Sequence, residues 1–452
     1  MGGEISLREN FDKFSNNIAV IHKGKRYSYA DLDEAIDRFG QKLREKSIDR
    51  GDVVAIRSDY SFDAIALFFA LAENGNIIVP ITSESEEEVQ KRLDIASVGS
   101  VFKHVDGIFE VEKYDATESE NGLIQTLANR GHAGLVLFSS GSTGEPKAML
   151  HDLDILMQSY TSRKSKILNT LLFLTFDHIG GIDTMLRSLS IGGTLTIPEG
   201  RNPEAVCKAV ESEKVDVLPV SPTFINLLLL SRLHKDYDLG SLKIIAFGAE
   251  PMPKPLLERV KRSFPDAKLQ QKFGTSETNA VKIRNDQKNP LFFKIEDPNV
   301  KYRIVDGELW LKSGTQAVGY LNTTTESFTE DGWFKTGDIV EEDADGFIRV
   351  VGRNKEIINV GGEKVFPAEV ENVLYEMPEI ADAMVYGEAN IITGQGVTAD
   401  IVPNGVYDKR EMKKMVRRFC KERLEGYKIP SRVNIVESLN FTERFKKIRR
   451  RK

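Results

Sequence analysis

Cysteine is nearly absent from this chain: 452 residues contain two, Cys207 and Cys420, far apart in sequence. Neither has metal-ligand spacing, which argues against both a disulfide framework and a cysteine zinc site and fits a reducing, cytoplasmic setting. Long apolar runs are missing too. The strongest, AIALFFALA from Ala64, falls well short of the ~20 residues that a membrane-spanning helix needs, so a soluble protein is expected. Basic excess is also lacking: 62 Lys and Arg against 68 Asp and Glu give a net charge of −6. Nucleic-acid binders carry a basic face, so no DNA or RNA partner is expected. No repeat or low-complexity tract appears.

What is present is ordinary globular composition, 40% hydrophobic and 29% charged. A chain of this length exceeds the ~250–300 residues at which single cores stop growing, so at least two domains are expected. Leu32, Ile36, Phe39 and Leu43 recur at helical spacing. The VVAI run, the apolar segment from Phe62 and NIIVP then read as strand, helix and strand. The alternation continues through LLFLT, the segment from Ile182, TLTIPE, the segment from Pro203, VDVLP and KIIAFGAE, which predicts a doubly wound α/β body with parallel strands. From Val300 the period changes. Asp306-Gly307 between YRIV and ELWL signals a tight hairpin and the start of antiparallel structure. Beyond FIRVVGR, helical runs from Ala368 and from Lys409 to Leu424 alternate with the strands DAMVYGE, VTADIV and RVNIV, a small α+β pattern.

The sharpest chemical signal is FSSGSTGEPKAML. An apolar strand delivers Ser139, Ser140, Gly141, Ser142, Thr143 and Gly144, with Lys147 close behind, and so offers backbone amides, hydroxyls and one cation to a phosphate. It is not a Walker loop, since Lys147 follows Pro146 and no Ser or Thr comes next to hold magnesium. In QKFGTSET, Phe273, Gly274, Thr275, Ser276 and Glu277 supply an aromatic plate, hydroxyls and a hard carboxylate suited to Mg²⁺. DGWFKTGDIV places Asp338 where a carboxylate suits a vicinal diol. GRNKEIINVGGEKVFPAEVE carries Arg353, Lys355 and the Gly361-Gly362 turn, and GAEPMP carries Gly248, Ala249 and Glu250.

Taken in chain order, the five elements resemble the adenylate-forming superfamily of acyl-CoA synthetases, stand-alone adenylation domains and luciferases. Its signature loop reads Ser/Thr-Gly-Ser/Thr-Thr-Gly-x-Pro-Lys-Gly, from which only Ala148 departs. The resemblance covers nearly the whole chain and implies a large N-terminal domain over 1–352, made of doubly wound sheets with a smaller β-barrel-like portion. A small, mobile α+β domain over 353–452 would turn about a hinge near Lys355. It implies that the Ser139–Lys147 loop holds the phosphates of ATP, that Gly248, Ala249, Glu250 and Phe273 line the base, and that Glu277 ligates Mg²⁺. Asp338 would hold the ribose hydroxyls, Arg353 the ribose or phosphate, and Gly361-Gly362 a tunnel for a thiol.

The implied reaction is ATP-dependent activation of a small carboxylic acid as an acyl-adenylate, followed by transfer to coenzyme A. A phosphopantetheinylated carrier protein is the alternative acceptor, and a nucleotide-binding regulator without activity is a reading from another class. For the acid, LTFDHIGGI falls where the superfamily places pocket residues. His178 resembles the histidine of acyl and aryl ligases, whereas Phe176-Asp177 aligns with the aspartate that binds an ammonium in amino-acid-activating members. The Ile179-Gly180-Gly181 continuation favours a non-amino acid. At the C-terminus, SLNFTERFKKIRRRK resembles Thr-x-x-Gly-Lys-Ile-x-Arg without its glycine. Counting from Thr442 selects Lys446, but Lys447 is taken as the catalytic lysine, because Ile448 and Arg450 then match the motif.

Overall fold

In a computed structural model the described residues are 7–114, 121–140, 145–161, 165–323, 327–442 and 445–449, with the Ser140 side chain outside them. Gly141, Ser142, Thr143, Gly144 and Arg450 therefore lie outside the described residues. The chain forms two compact units, one of Met1–Pro219, Gly274–Val281 and Lys312–Phe334, the other of Val220–Phe273, Lys282–Leu311 and Lys335–Lys452. The second unit takes in all of 353–452 together with 220–273 and 282–311, and the C-terminal tail binds that added segment through Ser221 and Glu250.

The first unit is the expected α/β body. One sheet runs Lys25–Ser28, Ile18–His22, Thr194–Ile197, Asn169–Leu171 and Val217–Val220, parallel except for its first pair. A second runs Gly319–Tyr320, Pro146–Asp152, Gly134–Ser140, Ile77–Ile81, Val53–Arg57, Ser100–Val105 and Ile108–Lys113, with parallel pairs at its centre and antiparallel strands at both edges. Local chemistry agrees with this layout. Ser28 and Asp31 form a capping box that starts the Tyr29–Glu45 helix, whose Leu32, Ile36, Phe39 and Leu43 are all buried.

The Gly134–Ser140 strand is covered on both faces. Leu135 and Leu137 enter one hydrophobic cluster with Phe68, Met149 and Phe176, while Val136 and Phe138 enter another with Val79, Leu93 and Leu150. Because side chains alternate across a strand, a one-residue slip would exchange the two sets, so the register is strongly specified. The chain then returns antiparallel rather than into a helix, pairing Ser139 with Lys147 and Ser140 with Pro146.

In the second unit, Ile244–Phe247 and Lys268–Gln271 pair in parallel. The portion expected to be barrel-like is a six-stranded sheet in the open order Ile283–Asn285, Phe293–Ile295, Ile348–Arg353, Phe334–Glu342, Glu308–Ser313 and Val300–Val305. Its Asp306-Gly307 turn has φ of 51° and 80°, the left-handed pair that a tight hairpin demands. The C-terminal residues pack the Pro367–Leu374 and Lys409–Lys421 helices against the long Ile380–Asn390 and Gly394–Pro403 hairpin, around Val370, Leu374, Val385, Ile401, Met412 and Val416. No helix of the described residues is long and apolar enough to cross a membrane.

One strand ends sooner than its sequence suggests. The apolar LLFLT run is a strand only to Leu171; the chain then turns so that His178 caps the Ile179–Ser190 helix. That helix starts close against the turn: a Cβ on Gly181 would sit 2.2 Å from the Thr175 carbonyl oxygen. Gly181→Ala is expected to cost at least about 3 kcal/mol, the upper range for overpacking, because the opposing atom is backbone and cannot rotate away. Urea denaturation of the variant checks this.

Candidate functional site

The phosphate-loop strand and its return place Ser139 directly across from Lys147, both half-buried. Ala148, at the superfamily's glycine position, is fully buried within the returning strand and pairs with Phe138, so no left-handed backbone is needed there. Asn322 braces this strand, its Oδ1 accepting from the Ala148 N–H at 3.0 Å and its Nδ2 donating to the Pro146 carbonyl at 2.8 Å.

Tyr320, which sequence reasoning missed, joins this strand to the predicted metal ligand. Its hydroxyl donates to Glu277 Oε1 at 2.9 Å, and its ring centre lies 5.7 Å from Lys147 Nζ. Burial, helped by the Glu277 charge and hydrogen bond, raises the Tyr320 pKa well above its ordinary value, so the phenol stays a donor. The loop carrying Glu277 is rigid by construction. Thr275 Oγ1 accepts from the Thr278 N–H at 3.0 Å, the Glu277 carbonyl accepts from the Ala317 N–H at 2.7 Å, and a Cβ on Gly274 would meet the Asn279 carbonyl at 2.3 Å. Ser276 and Glu277 are half-buried, and Glu277 Oε2 has no hydrogen-bond partner among the described residues. A hard carboxylate oxygen left open on the side chain that Tyr320 links to Lys147 fits Mg²⁺, which binds through one or two carboxylates and takes its remaining ligands from phosphate and water.

Asp177 is 4% exposed, and its two oxygens accept from Arg92 Nη1 at 2.9 Å and Thr175 Oγ1 at 2.8 Å. Arg92, which reads in sequence as a solvated helical charge, also pairs with Glu88 and lies 5.4 Å from the centre of the Phe138 ring. The residue before the phosphate loop and the expected acid-pocket segment are thus tied through one guanidinium. His178 caps its helix, Nδ1 accepting from the Gly180 N–H at 3.2 Å. The only sequence hint of Arg92's role is its i,i+4 spacing from Glu88.

In the second unit, the diol and arginine motifs lie side by side. Asp338 and Arg353 are register partners, with Asp338 Oδ1 3.0 Å from Arg353 Nε. Phe273 packs on Phe293 with centroids 4.9 Å apart. The Gly248–Glu250 turn is tight: Ala249 has φ 70°, and a Cβ on Gly248 would fall 2.8 Å from the Lys272 carbonyl. Glu250 Oε2 accepts from Thr223 Oγ1 at 2.6 Å, and its Oε1 accepts from the Lys447 N–H at 2.9 Å. Lys355 is exposed in the short Asn354–Glu356 turn of helix. Gly361 and Gly362 have φ of 61° and 96°, and Gly361 N–H donates to the Thr393 carbonyl at 2.9 Å.

Lys447, the catalytic lysine expected from the resemblance, has its side chain anchored among C-terminal residues. Its Nζ donates to Tyr375 Oη at 2.8 Å, Asp382 Oδ1 at 3.0 Å and the Ala383 carbonyl at 2.6 Å, in a pocket of the C-terminal residues. Burial disfavours the ammonium, but Tyr375, Asp382 and Glu371 outweigh it and raise its pKa.

Beneath the Ser276 backbone, His151 is fully buried with neither ring nitrogen in a properly aligned hydrogen bond. Desolvation lowers its pKa to about 4, the Ser276 backbone offsetting only part of this.

Two predictions follow from these buried groups. Arg92→Met leaves Asp177 without its cation and is expected to cost about 3–5 kcal/mol in urea denaturation, most of it recovered by adding Asp177→Asn. His151 must charge on unfolding, so the stability it contributes is full above pH 6.5 and is lost as pH falls toward 4. The loss is on the order of 3 kcal/mol, and His151→Phe should flatten that part of the stability–pH profile.

A family model described as "AMP-binding enzyme" matches residues 7–321, and one described as "AMP-binding enzyme C-terminal domain" matches 369–446. A 2-succinylbenzoate–CoA ligase of Listeria monocytogenes is 28% identical over 453 residues, covering 93% of this chain and 92% of the relative. Among solved structures, the anthranilate CoA ligase AuaEII in complex with anthranoyl-AMP aligns with TM-score 0.84 at 17% identity, over 98% of this chain and 95% of that one. The o-succinylbenzoate CoA synthetase of Bacillus subtilis, in complex with its acyl-adenylate, aligns with TM-score 0.75 at 21% identity, over 98% and 97%. At these identities the structural matches speak for the fold.

Proposed function

Since the chain belongs to the AMP-binding enzyme family, we propose that it is an AMP-forming acid–thiol ligase that activates a non-amino carboxylic acid with ATP and passes the acyl group to coenzyme A. The observation that carries this reading is the convergence on Tyr320 of the phosphate-loop cation Lys147 and the carboxylate Glu277. The CoA-ligase names of full-length relatives support the thiol acceptor.

A carboxylate is a poor electrophile at neutral pH, and joining it to AMP gives its carbon a good leaving group. In the first half-reaction a carboxylate oxygen attacks the α-phosphorus and pyrophosphate departs. Ser139 and Lys147 would hold the departing phosphates, and Glu277, oriented by Tyr320, would hold magnesium, which would supply neutralisation of phosphate charge. Asp338 and Arg353 orient the ribose. In the second half-reaction a thiolate attacks the acyl carbon and AMP leaves, with the Gly361-Gly362 turn and the Lys355 hinge serving the thiol's approach. No side chain acts as nucleophile.

The surroundings of Asp177 support a non-amino acid. An aspartate that received a substrate ammonium would need its charge unpaired, whereas Asp177 is buried and already paired with the Arg92 guanidinium. The aromatic acids named for the relatives support an aryl acid among the non-amino classes.

The test is pyrophosphate release from ATP and Mg²⁺ across aryl, fatty, hydroxy and amino acids, with and without coenzyme A, with products identified by mass. Release with an aryl acid and formation of its CoA thioester are expected. An amino acid as sole substrate would overturn the acid class, and an adenylate that accumulates despite coenzyme A would move the acceptor to a carrier protein.

A further inference from the structure

We propose that the outer face of the Lys409–Lys421 helix docks the protein on an anionic phospholipid surface, in a reversible electrostatic association that involves no membrane span. The whole-chain charge hides this face. Residues 353–452 hold 20 Lys and Arg against 15 Asp and Glu, whereas residues 1–352 hold 42 against 53. The helix itself carries seven cations and one acid, Glu411.

The fold sorts these charges onto one side. Met412, Val416 and Cys420 are fully buried and join the core around Val385 and Ile401, which fixes the rotation of the helix. At 3.6 residues per turn, Arg410, Lys413, Lys414, Arg417, Arg418 and Lys421 fall in one arc opposite that buried line, and all six are exposed. The acids that pair with the strip stand at its margin: Glu411 lies 3.0 Å from Lys414, and Glu422 lies 3.7 Å from Arg418. Both pairs are open to water and contribute little. Arg410, Lys413, Arg417 and Lys421 have no carboxylate within ion-pair distance among the described residues, and Arg417 donates only to the neutral Ser431 carbonyl. These four follow one another three or four residues apart along a helix of 13 residues, about 20 Å. Like charges at that spacing repel, a cost that an anionic surface relieves.

Two features decide the kind of partner. No aromatic or amide side chain is interleaved with the six cations, so the strip offers nothing to stack on bases or to read their edges. At its N-terminal end Val406 is fully exposed and Tyr407 is 39% exposed. An apolar pair of this kind belongs at the boundary between headgroups and acyl chains, where tyrosine is favoured. A strip of cations for acidic headgroups, ending in a short apolar anchor, is what a lipid surface of negative charge attracts. The net negative charge of the chain keeps the association weak and sensitive to salt.

The test is sedimentation of the full chain with vesicles of phosphatidylcholine, alone or mixed with phosphatidylserine. Binding to the mixed vesicles at low salt is expected, with none to phosphatidylcholine alone and release toward about 1 M salt, where the screening length falls to about 3 Å. Lys413→Glu/Arg417→Glu is expected to weaken binding at least about tenfold, and Val406→Ser about threefold or more. Lys25→Glu/Lys46→Glu makes the same change in net charge at exposed positions outside the strip and should leave binding intact. All four lysines and arginines are exposed, so both double variants should keep the wild-type thermal midpoint. No binding to the mixed vesicles, equal binding with and without phosphatidylserine, or equal loss in the two double variants would each overturn the proposal. Single-stranded RNA that strips the protein from the vesicles, and that binds wild type but not Lys413→Glu/Arg417→Glu, would overturn it in favour of a nucleic-acid partner.

Discussion

The register between Gly134–Ser140 and Pro146–Asp152 is the constraint on which the rest of the structure depends. Both faces of the first strand are buried in separate clusters, so its side chains cannot change sides without emptying two cores at once. The strand therefore ends where Ser139 and Ser140 end it, and Lys147 returns opposite Ser139. Gly319–Tyr320 pairs with the returning strand at Met149 and Leu150, which brings the Tyr320 hydroxyl to Glu277. Ser139, the Lys147 cation and the Glu277 carboxylate are thereby brought into one region by the strand pairing.

A second theme is how buried charge is spent. Asp177 and Asp382 each meet a cation inside the protein, Arg92 for one and Lys447 for the other. Breaking such a pair leaves an uncompensated charge, which costs far more than the pair itself contributes. These groups are consequently poor candidates for chemistry that requires them to let go, whatever their place in a sequence motif. The same logic leaves Glu277 available, because a neutral phenol orients one of its oxygens without neutralising it.

Much of this was legible in the sequence. The alternation of apolar periods gave the α/β body, and Asp306-Gly307 located the hairpin because only a few residue types tolerate its backbone. The ordered motifs put Asp338 and Arg353 in one functional set, and their pairing across two strands follows from the antiparallel pattern. Other parts were not legible. Arg92 and Tyr320 lie far in sequence from the groups they hold, and nothing local distinguishes a buried arginine from a solvated one. The LLFLT strand ended early because the turn before the Ile179–Ser190 helix, fixed by the close approach of Gly181, outweighed β-propensity.

The central claim is that the acid is activated by direct attack on the α-phosphorus, and oxygen tracing tests it most directly. With the acid found to support turnover labelled with ¹⁸O in both carboxylate oxygens, one labelled oxygen should appear in AMP and the other remain in the thioester carbonyl. Label in inorganic phosphate, or AMP free of label, would contradict the account.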